Sequence, residues 1–484
     1  MIKSMRESVL SKNYFIIWDV FLKYLPSRFF IILNSLVIIP FFAHVLSSGE
    51  MGIFQISIGI LNLVCTCSTD WISKTTLRFW VKYKRKNELE SFFSNIFFMT
   101  IISYTLIFVL YFCFSDLICA KFFIAKNILL LTLFLVIPCG LRQFLYQMLR
   151  IFNKPFLYTF SIIIYQISLL CLFLVFSNIW EHVFSILTAM SMSIFAIDLY
   201  ILKQIDLKNK LSLKLTPSML QESLKYSLPL IITNVSLWSV FHVNKFIFQY
   251  DHYFTDTAIA GIAWFFTTSI LAAMFSTFLF SVFPTIIKQF EKKRIIKEFV
   301  TNTIQLYFVI FIPFVAVFSL FSREISNIFL SEKYSQACVL LPFFAVSIFG
   351  HELLKLINIK YHLKNKTYVE MVLSLIVGLI SLGLNIILIP KFHILAVGIV
   401  MLFSILLLII ANSLIKFNSI DYIIPKKVFK SATAAVLIAL TSFSFVFLLF
   451  GPNGLSDYLS IAKIVVFFAL SYLITWQFRA RILE

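Results

Sequence analysis

Charged side chains inside long apolar segments are the residues of this 484-residue chain with the clearest capacity for chemistry. Asp70, Lys74 and Arg78 follow one another at intervals of four, which places them on one face of a helix. A charged group within a membrane-spanning helix costs about 2.5–3.5 kcal/mol, so it is expected to face a cavity, a partner or the protein interior. The spacing therefore predicts a polar, functional face.

Other polar groups interrupt further apolar segments. Lys23 and Arg28 flank Pro26, whose ring removes a backbone hydrogen bond and permits a kink. Arg28 lies deeper in its segment than Lys23, which favours a role in a cavity. Two stripes at helical spacing follow, His242-Lys245-Gln249 and His351-Lys355-Asn358-His362, the second with Glu352 beside it. The second stripe is expected to face cytoplasmic water.

Simpler roles stay open for several of these groups. Lys23, Lys74 and Arg78 lie towards one end of long helices, where a flexible cation can extend to the lipid headgroups. Lys245 lies near the other end of its segment, where it would anchor the helix at the interface. Asp70 would neutralise Lys74 one turn further on.

The sign of the intramembrane charge favours an anionic ligand. In the first, second and seventh apolar segments, leaving out charged residues within three positions of a segment end (Asp19, Arg78, Glu222 and Lys225), the cations Lys23, Arg28, Lys74 and Lys245 stand against Asp70 alone. A cavity lined in this way attracts anions and repels cations, and its low-dielectric walls strengthen the effect. Diphosphate is a suitable guest, because arginine and lysine are its usual partners.

The composition identifies the elements that must hold these residues. Hydrophobic residues make up 60% of the chain and charged residues 13%, whereas soluble domains have about 45–50% and about 25%. The chain is therefore an integral membrane protein. A spanning helix needs roughly 20 residues, so the length accommodates about fourteen helices and excludes a large soluble domain.

Fourteen apolar segments predict an all-α, polytopic membrane protein. The segments are 17–46, 52–80, 93–114, 120–149, 155–177, 181–203, 222–249, 256–286, 299–321, 336–361, 367–390, 394–416, 429–450 and 458–478. Most of the 41 lysines and arginines fall in or beside the loops of one side, while the opposite loops and the segment ends next to them hold only Lys121, Lys126, Arg323, Lys333 and Lys391. Both termini are therefore expected in the cytoplasm, and the net charge of +19 reflects cytoplasmic loops rather than nucleic-acid binding.

The chain also contains an internal repeat. Leu22-Lys23-Tyr24-Leu25-Pro26 opens the first segment, and Leu224-Lys225-Tyr226-Ser227-Leu228-Pro229 opens the seventh. The repeat predicts a six-helix half over 1–203, a cytoplasmic linker over 204–221, a second six-helix half over 222–416, and two additional helices over 417–484. Such repeats are frequent in secondary transporters, whose substrate site lies between the halves.

Motifs of enzymes are absent from the sequence. It contains no GxxxxGK[ST], GxGxxG, HExxH or GxSxG pattern, and its seven cysteines form no CxxC pair. No catalytic residue, metal site or cofactor is therefore expected. Transport would depend on ion gradients or on binding of the transported species.

The whole pattern resembles the polysaccharide flippases of the multidrug/oligosaccharidyl-lipid/polysaccharide exporter (MOP) superfamily, in particular the Wzx-type O-antigen flippases. The resemblance rests on fourteen spans, a six-helix duplication and three short motifs. These are Lys23-Tyr24-Leu25-Pro26-Ser27-Arg28, Ser48-Gly49-Glu50-Met51-Gly52-Ile53-Phe54 and Thr76-Leu77-Arg78-Phe79.

The resemblance implies a substrate and a mechanism. The substrate would be an undecaprenyl-diphosphate-linked oligosaccharide, moved from the cytoplasmic to the outer leaflet of a bacterial inner membrane while the two halves rock around a cationic cavity. Arg28, Lys23, Lys74, Arg78 and Lys245 are the candidate substrate-binding residues. Asp70 and Glu352 are candidates for proton or sodium coupling or for charge balance. The expected partners are the lipid-linked oligosaccharide, membrane lipids and other polysaccharide-assembly proteins.

Two other functions are weighed against this one. A multidrug exporter of the same superfamily that moves organic cations would need buried carboxylates, and the intramembrane charge here is positive. A membrane-bound polysaccharide polymerase or ligase would carry a sizeable outer loop with catalytic arginine or histidine. The outer loops here are short, and Arg323, His252 and His393 are their only arginine and histidines.

Overall fold

The computed structural model describes residues 2–152, 154–205, 216–291, 297–415, 426–450 and 457–483. Within these ranges the regular elements are all helical, which confirms the predicted all-α class. The helices are α1 (Ile2–Val45), α2 (Ser48–Cys65), α3 (Trp71–Arg85), α4 (Leu89–Phe122), α5 (Lys126–Ile151), α6 (Pro155–Phe176), α7 (His182–Ile205), α8 (Pro217–Tyr250), α9 (Phe254–Thr267), α10 (Ala273–Glu291), α11 (Lys297–Leu320), α12 (Ser322–Phe329), α13 (Leu341–Leu363), α14 (Thr367–Phe392), α15 (Ile394–Leu414), α16 (Lys426–Phe450) and α17 (Asp457–Leu483).

The protein crosses the membrane many times. In the described part of the chain, twelve helices are long and apolar enough to span a bilayer, with α2 and α3 forming one span and α9 and α10 another. Shorter apolar stretches, Thr433–Val446 and Ser460–Ser471, lie in α16 and α17 and bring the number of apolar helical segments in the described residues to fourteen. Lipid-facing side chains such as Phe112 and Leu379 are exposed, as expected for helices that meet acyl chains.

Two predicted connections differ in what the structure shows of them. The stretch between the ninth and tenth spans, predicted as a loop, contains α12 and a 3₁₀ helix over Glu332–Val339. The predicted linker 204–221 lies largely outside the described residues, since 206–215 are among those not described, and α8 begins at Pro217.

Two spanning helices contain a π-helical turn. One turn covers Thr66–Asp70, between α2 and α3, and the other covers Thr268–Ala272, between α9 and α10. The hydroxyls of Thr69 and Thr268 donate to carbonyls four residues earlier, at 3.1 and 2.6 Å. Such bonds offer the backbone carbonyls an alternative donor and so favour a local change of helical register.

The two π turns occupy matching places in the sequence repeat. Thr66 and Thr268 are 202 positions apart, the same offset that separates Leu22 from Leu224. A register change is rare within helices, so its recurrence at the offset of the repeat supports the interpretation of 1–203 and 222–416 as related halves.

Close packing joins α8 to α14 at Gly378. A Cβ atom at this position would lie 3.0 Å from the carbonyl oxygen of Ser236 and 3.1 Å from its Cα. Because these neighbours are backbone atoms, they cannot rotate away. A small residue at a helix crossing allows backbones to approach in this way.

Replacing Gly378 by alanine is expected to destabilise the protein by about 1–3 kcal/mol, because α8 and α14 must separate to admit the methyl group. Gly383 on the same helix has no atom within 4 Å of its would-be Cβ. Gly383→Ala should therefore be neutral or slightly stabilising through its higher helix propensity. Thermal unfolding of both variants in the same detergent measures the difference, and equal transition temperatures would contradict the close crossing.

A basic cavity as candidate functional site

A cavity of about 510 Å³ lies among the helices of the chain. Its walls come from α2, α3 and the π turn between them, from α5, and from α8, α10, α13 and α14. The first group of helices belongs to the segment 1–203 and the second to 222–416, so the cavity lies where the sequence repeat predicted a substrate site.

Positive charge predominates on the cavity wall. Four cationic side chains line it, against two acidic ones and three histidines: Lys74, Arg78, Arg150 and Lys355, then Asp70 and Glu370, then His242, His351 and His362. The four cations define what we call the basic end. Asn62, Trp238, Phe241, His242 and His351 define the aromatic end. From Asn62 to Lys74 the wall extends about 18 Å along the helix axis.

The face predicted on the second span does reach the cavity. Asp70, Lys74 and Arg78 all line it. The Lys74 ammonium donates across the cavity to Asn234 Oδ1 on α8 at 2.7 Å, and the Asp70 carboxylate accepts from Thr66 Oγ1 at 3.3 Å. Lys74 is exposed, and that exposed surface belongs to the cavity wall.

Arg78 also connects two parts of the fold. Its Nε donates to the carbonyl oxygen of His362 at 3.2 Å and its Nη2 to that of Leu363 at 3.4 Å. These carbonyls lie at the C-terminal end of α13, where a cation is favoured by the helix dipole and by carbonyls without a partner in the helix.

Two arginines meet on a single aromatic ring. The guanidinium carbon of Arg150 lies 4.0 Å from the centroid of Phe280, and that of Arg28 lies 4.8 Å from it. Arg28 Nη2 also donates to the Tyr158 hydroxyl at 3.0 Å, while its buried Nε has no hydrogen-bond partner among the described residues. Arg28 therefore lies behind Phe280 at the edge of the cavity, and Arg150 lines the cavity directly.

Three other predicted residues lie off the cavity. Lys23 is on the exposed surface of α1. Glu352 is buried behind the wall and pairs with Lys355 at 2.5 Å. Lys245 is 2% exposed and donates to Gln55 Oε1 at 3.3 Å, so the alternative that it anchors α8 at the lipid headgroups is wrong.

Several cavity residues were not predicted from the sequence. Gln143, Gln147 and Arg150 come from the last turns of α5, and Glu370 comes from the first turn of α14. Polar residues at the ends of apolar segments are equally typical of loops. Their sequence positions therefore did not indicate that they line a cavity, even for the charged Arg150. The stripe on α13, expected to face cytoplasmic water, lines the cavity.

A hydrogen-bonded group surrounds Glu370. Its Oε2 lies 3.2 Å from His362 Nε2, and its Oε1 accepts from Asn358 Nδ2 at 3.0 Å. The Tyr226 hydroxyl lies 2.8 Å from His362 Nδ1. Glu370 is therefore already engaged by its neighbours, which limits its capacity to bind a cationic ligand.

Contacts between 1–203 and 222–416 flank the cavity at both ends. Beyond the aromatic end, α2 lies against α9, where a Cβ on Gly261 would come within 2.2 Å of Gln55 Cγ. Beyond the basic end, Glu222 on α8 accepts from Lys82 and from the Tyr83 hydroxyl, both on α3.

The sequence matches no family model and no curated protein. The structure, in contrast, is similar to several solved structures. One is the lipid II flippase MurJ in an inward closed conformation, with a TM-score of 0.67 and 17% identity over 98% of this chain and 99% of that one. Another is the MATE multidrug transporter DinF-BH in complex with R6G, with a TM-score of 0.61 and 14% identity over 82% of this chain and 94% of that one.

A third structure carries the name of the superfamily. It is an outward-facing multidrug resistance MATE family transporter of the MOP superfamily, with a TM-score of 0.51 and 14% identity over 81% of this chain and 94% of that one. This chain shares its fold with these three structures. By their names, these three structures are a flippase and two transporters, not enzymes. At these identities the likeness establishes the fold.

Proposed function

We propose that this protein is a flippase for an undecaprenyl-diphosphate-linked oligosaccharide, such as an O-antigen or another surface polysaccharide repeat unit. The observation that carries the proposal is the basic end of the cavity, where Arg150, Lys74, Arg78 and Lys355 converge and Arg28 stands behind Phe280. The flippase that shares the fold matches 98% of this chain, whereas the two multidrug transporters match about four fifths of it.

The two arginines on Phe280 suit a diphosphate. Each guanidinium presents several N–H donors in a planar fork that matches the oxygens of a phosphate group. The buried Nε of Arg28 has no partner among the described residues, and a buried donor is normally satisfied. Arg150 lines the cavity and would bind a diphosphate directly, whereas the Arg28 donor would reach it only if the Phe280 ring moved aside. Water exclusion from the cavity would strengthen the attraction.

The transport cycle would alternate the contacts at the two ends of the cavity. Helices α1–α7 would rock against α8–α15, breaking the Lys82–Glu222 contact in one state and the α2–α9 contact in the other. With both termini in the cytoplasm, the basic end faces the leaflet that holds the substrate at the start. Asp70 on the wall and Glu352 behind it are proposed for proton or sodium coupling or for charge balance.

The location and partners follow from the same proposal. The protein would act in the inner membrane of a bacterium, take its substrate from membrane lipids of the cytoplasmic leaflet, and deliver it to other polysaccharide-assembly proteins. An exporter of organic cations would require acidic residues free to pair with the ligand. Here Glu370 is engaged by His362 and Asn358, and Asp70 by Thr66.

Reconstitution tests the proposed function. The full-length protein is placed in liposomes with undecaprenyl-diphosphate N-acetylglucosamine, and a membrane-impermeant lectin measures how fast the sugar reaches the opposite leaflet. We expect translocation well above that of protein-free liposomes. No translocation of this lipid, together with export of a rhodamine dye by the same liposomes, would overturn the proposal and favour the multidrug exporter.

A further inference from the structure

The aromatic end of the cavity is built around a fixed tryptophan. The Trp238 indole N–H donates to the carbonyl oxygen of Gly59 on α2 at 2.9 Å. Its ring contacts Phe246 at 5.2 Å and His242 at 6.0 Å between centroids. The absence of a side chain at Gly59 leaves room for the neighbouring Phe246, since a Cβ there would lie 2.9 Å from the Phe246 ring. The indole is therefore held in one orientation on the cavity wall.

Polar atoms without partners lie one helical turn on either side of Trp238 on α8. The side-chain nitrogen Nδ2 of Asn234 and the Nδ1 of His242 are buried and have no hydrogen-bond partner among the described residues. Asn62 lies one turn from Gly59 on α2, and its exposed side chain lines the cavity. Buried polar atoms are seldom left unpaired, so these groups indicate a ligand that both donates and accepts hydrogen bonds.

We propose that the aromatic end is a subsite for an uncharged pyranose, the sugar nearest the diphosphate of the transported lipid. The apolar C–H face of a sugar ring packs on an aromatic face, and its hydroxyls exchange hydrogen bonds with amides and imidazoles. Trp238 supplies the aromatic face, and Asn62, Asn234 and His242 supply the polar groups. The inference rests on the proposed function, because it assigns the diphosphate to the basic end.

The size of the cavity limits the glycan that it encloses. A volume of about 510 Å³ lies in the range of pockets for single small molecules, about 300–1,000 Å³. The cavity therefore has room for a diphosphate and a short glycan rather than for a polymer. Sugars further along the chain would be accommodated only when the α2–α9 contact beyond the aromatic end opens.

A binding experiment separates this subsite from the diphosphate site. The purified full-length protein in nanodiscs is titrated with undecaprenyl diphosphate and with undecaprenyl-diphosphate N-acetylglucosamine. We expect the sugar to tighten binding about five- to tenfold. Trp238→Leu should remove most of that gain, Trp238→Phe should keep part of it, and Arg150→Gln should weaken both lipids equally. Trp180→Leu, at a tryptophan on the exposed surface, is the matched control.

The results of the titration distinguish a failure of the sugar subsite from a failure of the proposed flippase function. If both lipids bind to the wild type with equal affinity, the sugar subsite is overturned while the flippase proposal stands. If neither lipid binds, the proposed function itself is overturned. If Trp238→Leu does not fold, Asn62→Ala replaces it, because the Asn62 side chain is exposed in the cavity. A gain from the sugar that is unchanged in Asn62→Ala and in Trp238→Phe would also overturn the subsite.

Discussion

Arg150→Gln is expected to weaken the binding of undecaprenyl diphosphate by about ten- to a hundredfold. A hydrogen bond to a charged group contributes about 1.5–3 kcal/mol, and about 1.4 kcal/mol corresponds to a factor of ten. Arg150 lines the cavity directly and stacks on Phe280 at 4.0 Å. Arg28→Gln should produce a smaller loss, because Arg28 lies behind Phe280 and does not line the cavity.

The double variant and a matched control sharpen this prediction. Arg28 and Arg150 share Phe280, so their effects should depend on each other rather than add. Arg323→Gln, at an exposed arginine on α12, should bind like the wild type. The measurements are lipid titration in nanodiscs and the amount of surface glycan in cells that depend on the protein. Equal affinities for Arg150→Gln and Arg323→Gln would contradict a cationic site at the basic end.

A disulfide between positions 52 and 257 is expected to stop transport completely. The would-be Cβ of Gly52 on α2 lies 3.8 Å from the Thr257 Cβ on α9, which equals the usual separation in a disulfide, about 3.8 Å. The Gly52→Cys/Thr257→Cys protein should therefore cross-link under mild oxidation. The bond would hold α2 against α9 and prevent the aromatic end of the cavity from opening.

Reduction provides the internal control of the disulfide experiment. The oxidised double variant should lose lipid translocation, and dithiothreitol should restore it in the same sample. Gly52→Cys alone, treated with the same oxidant, controls for reactions of the seven native cysteines. Undiminished translocation by protein shown to be cross-linked by mass spectrometry would exclude the separation of α2 and α9 from the cycle.

The spanning helices were predictable because their signal is large and local. A run of roughly 20 apolar residues allows few structures other than a spanning helix, and the predicted segments agree with the observed helices to within several residues for most of the chain. The face formed by Asp70, Lys74 and Arg78 was predictable for a related reason, since residues four positions apart lie on the same face of an α-helix.

The rest of the site depended on the tertiary fold. Arg150 and Glu370 lie at helix ends, where a charged residue is equally at home in a loop, and only packing brings them to the cavity. Lys245 was assigned by its depth along the helix, but the direction in which its side chain points is set by the neighbouring α2. Polar contacts between helices that are distant in sequence leave no periodic signal in either one.

The π turns at Thr66–Asp70 and Thr268–Ala272 have a consequence for the wall below them. One residue corresponds to about 100° of rotation in an α-helix, so an inserted residue turns everything that follows by that angle. Deleting one residue within Thr66–Asp70 would swing Lys74 and Arg78 away from the hollow, and the same deletion within Thr268–Ala272 would carry Phe280 off the opposite wall. A single extra position in each of two helices thus determines which side chains contact the transported molecule.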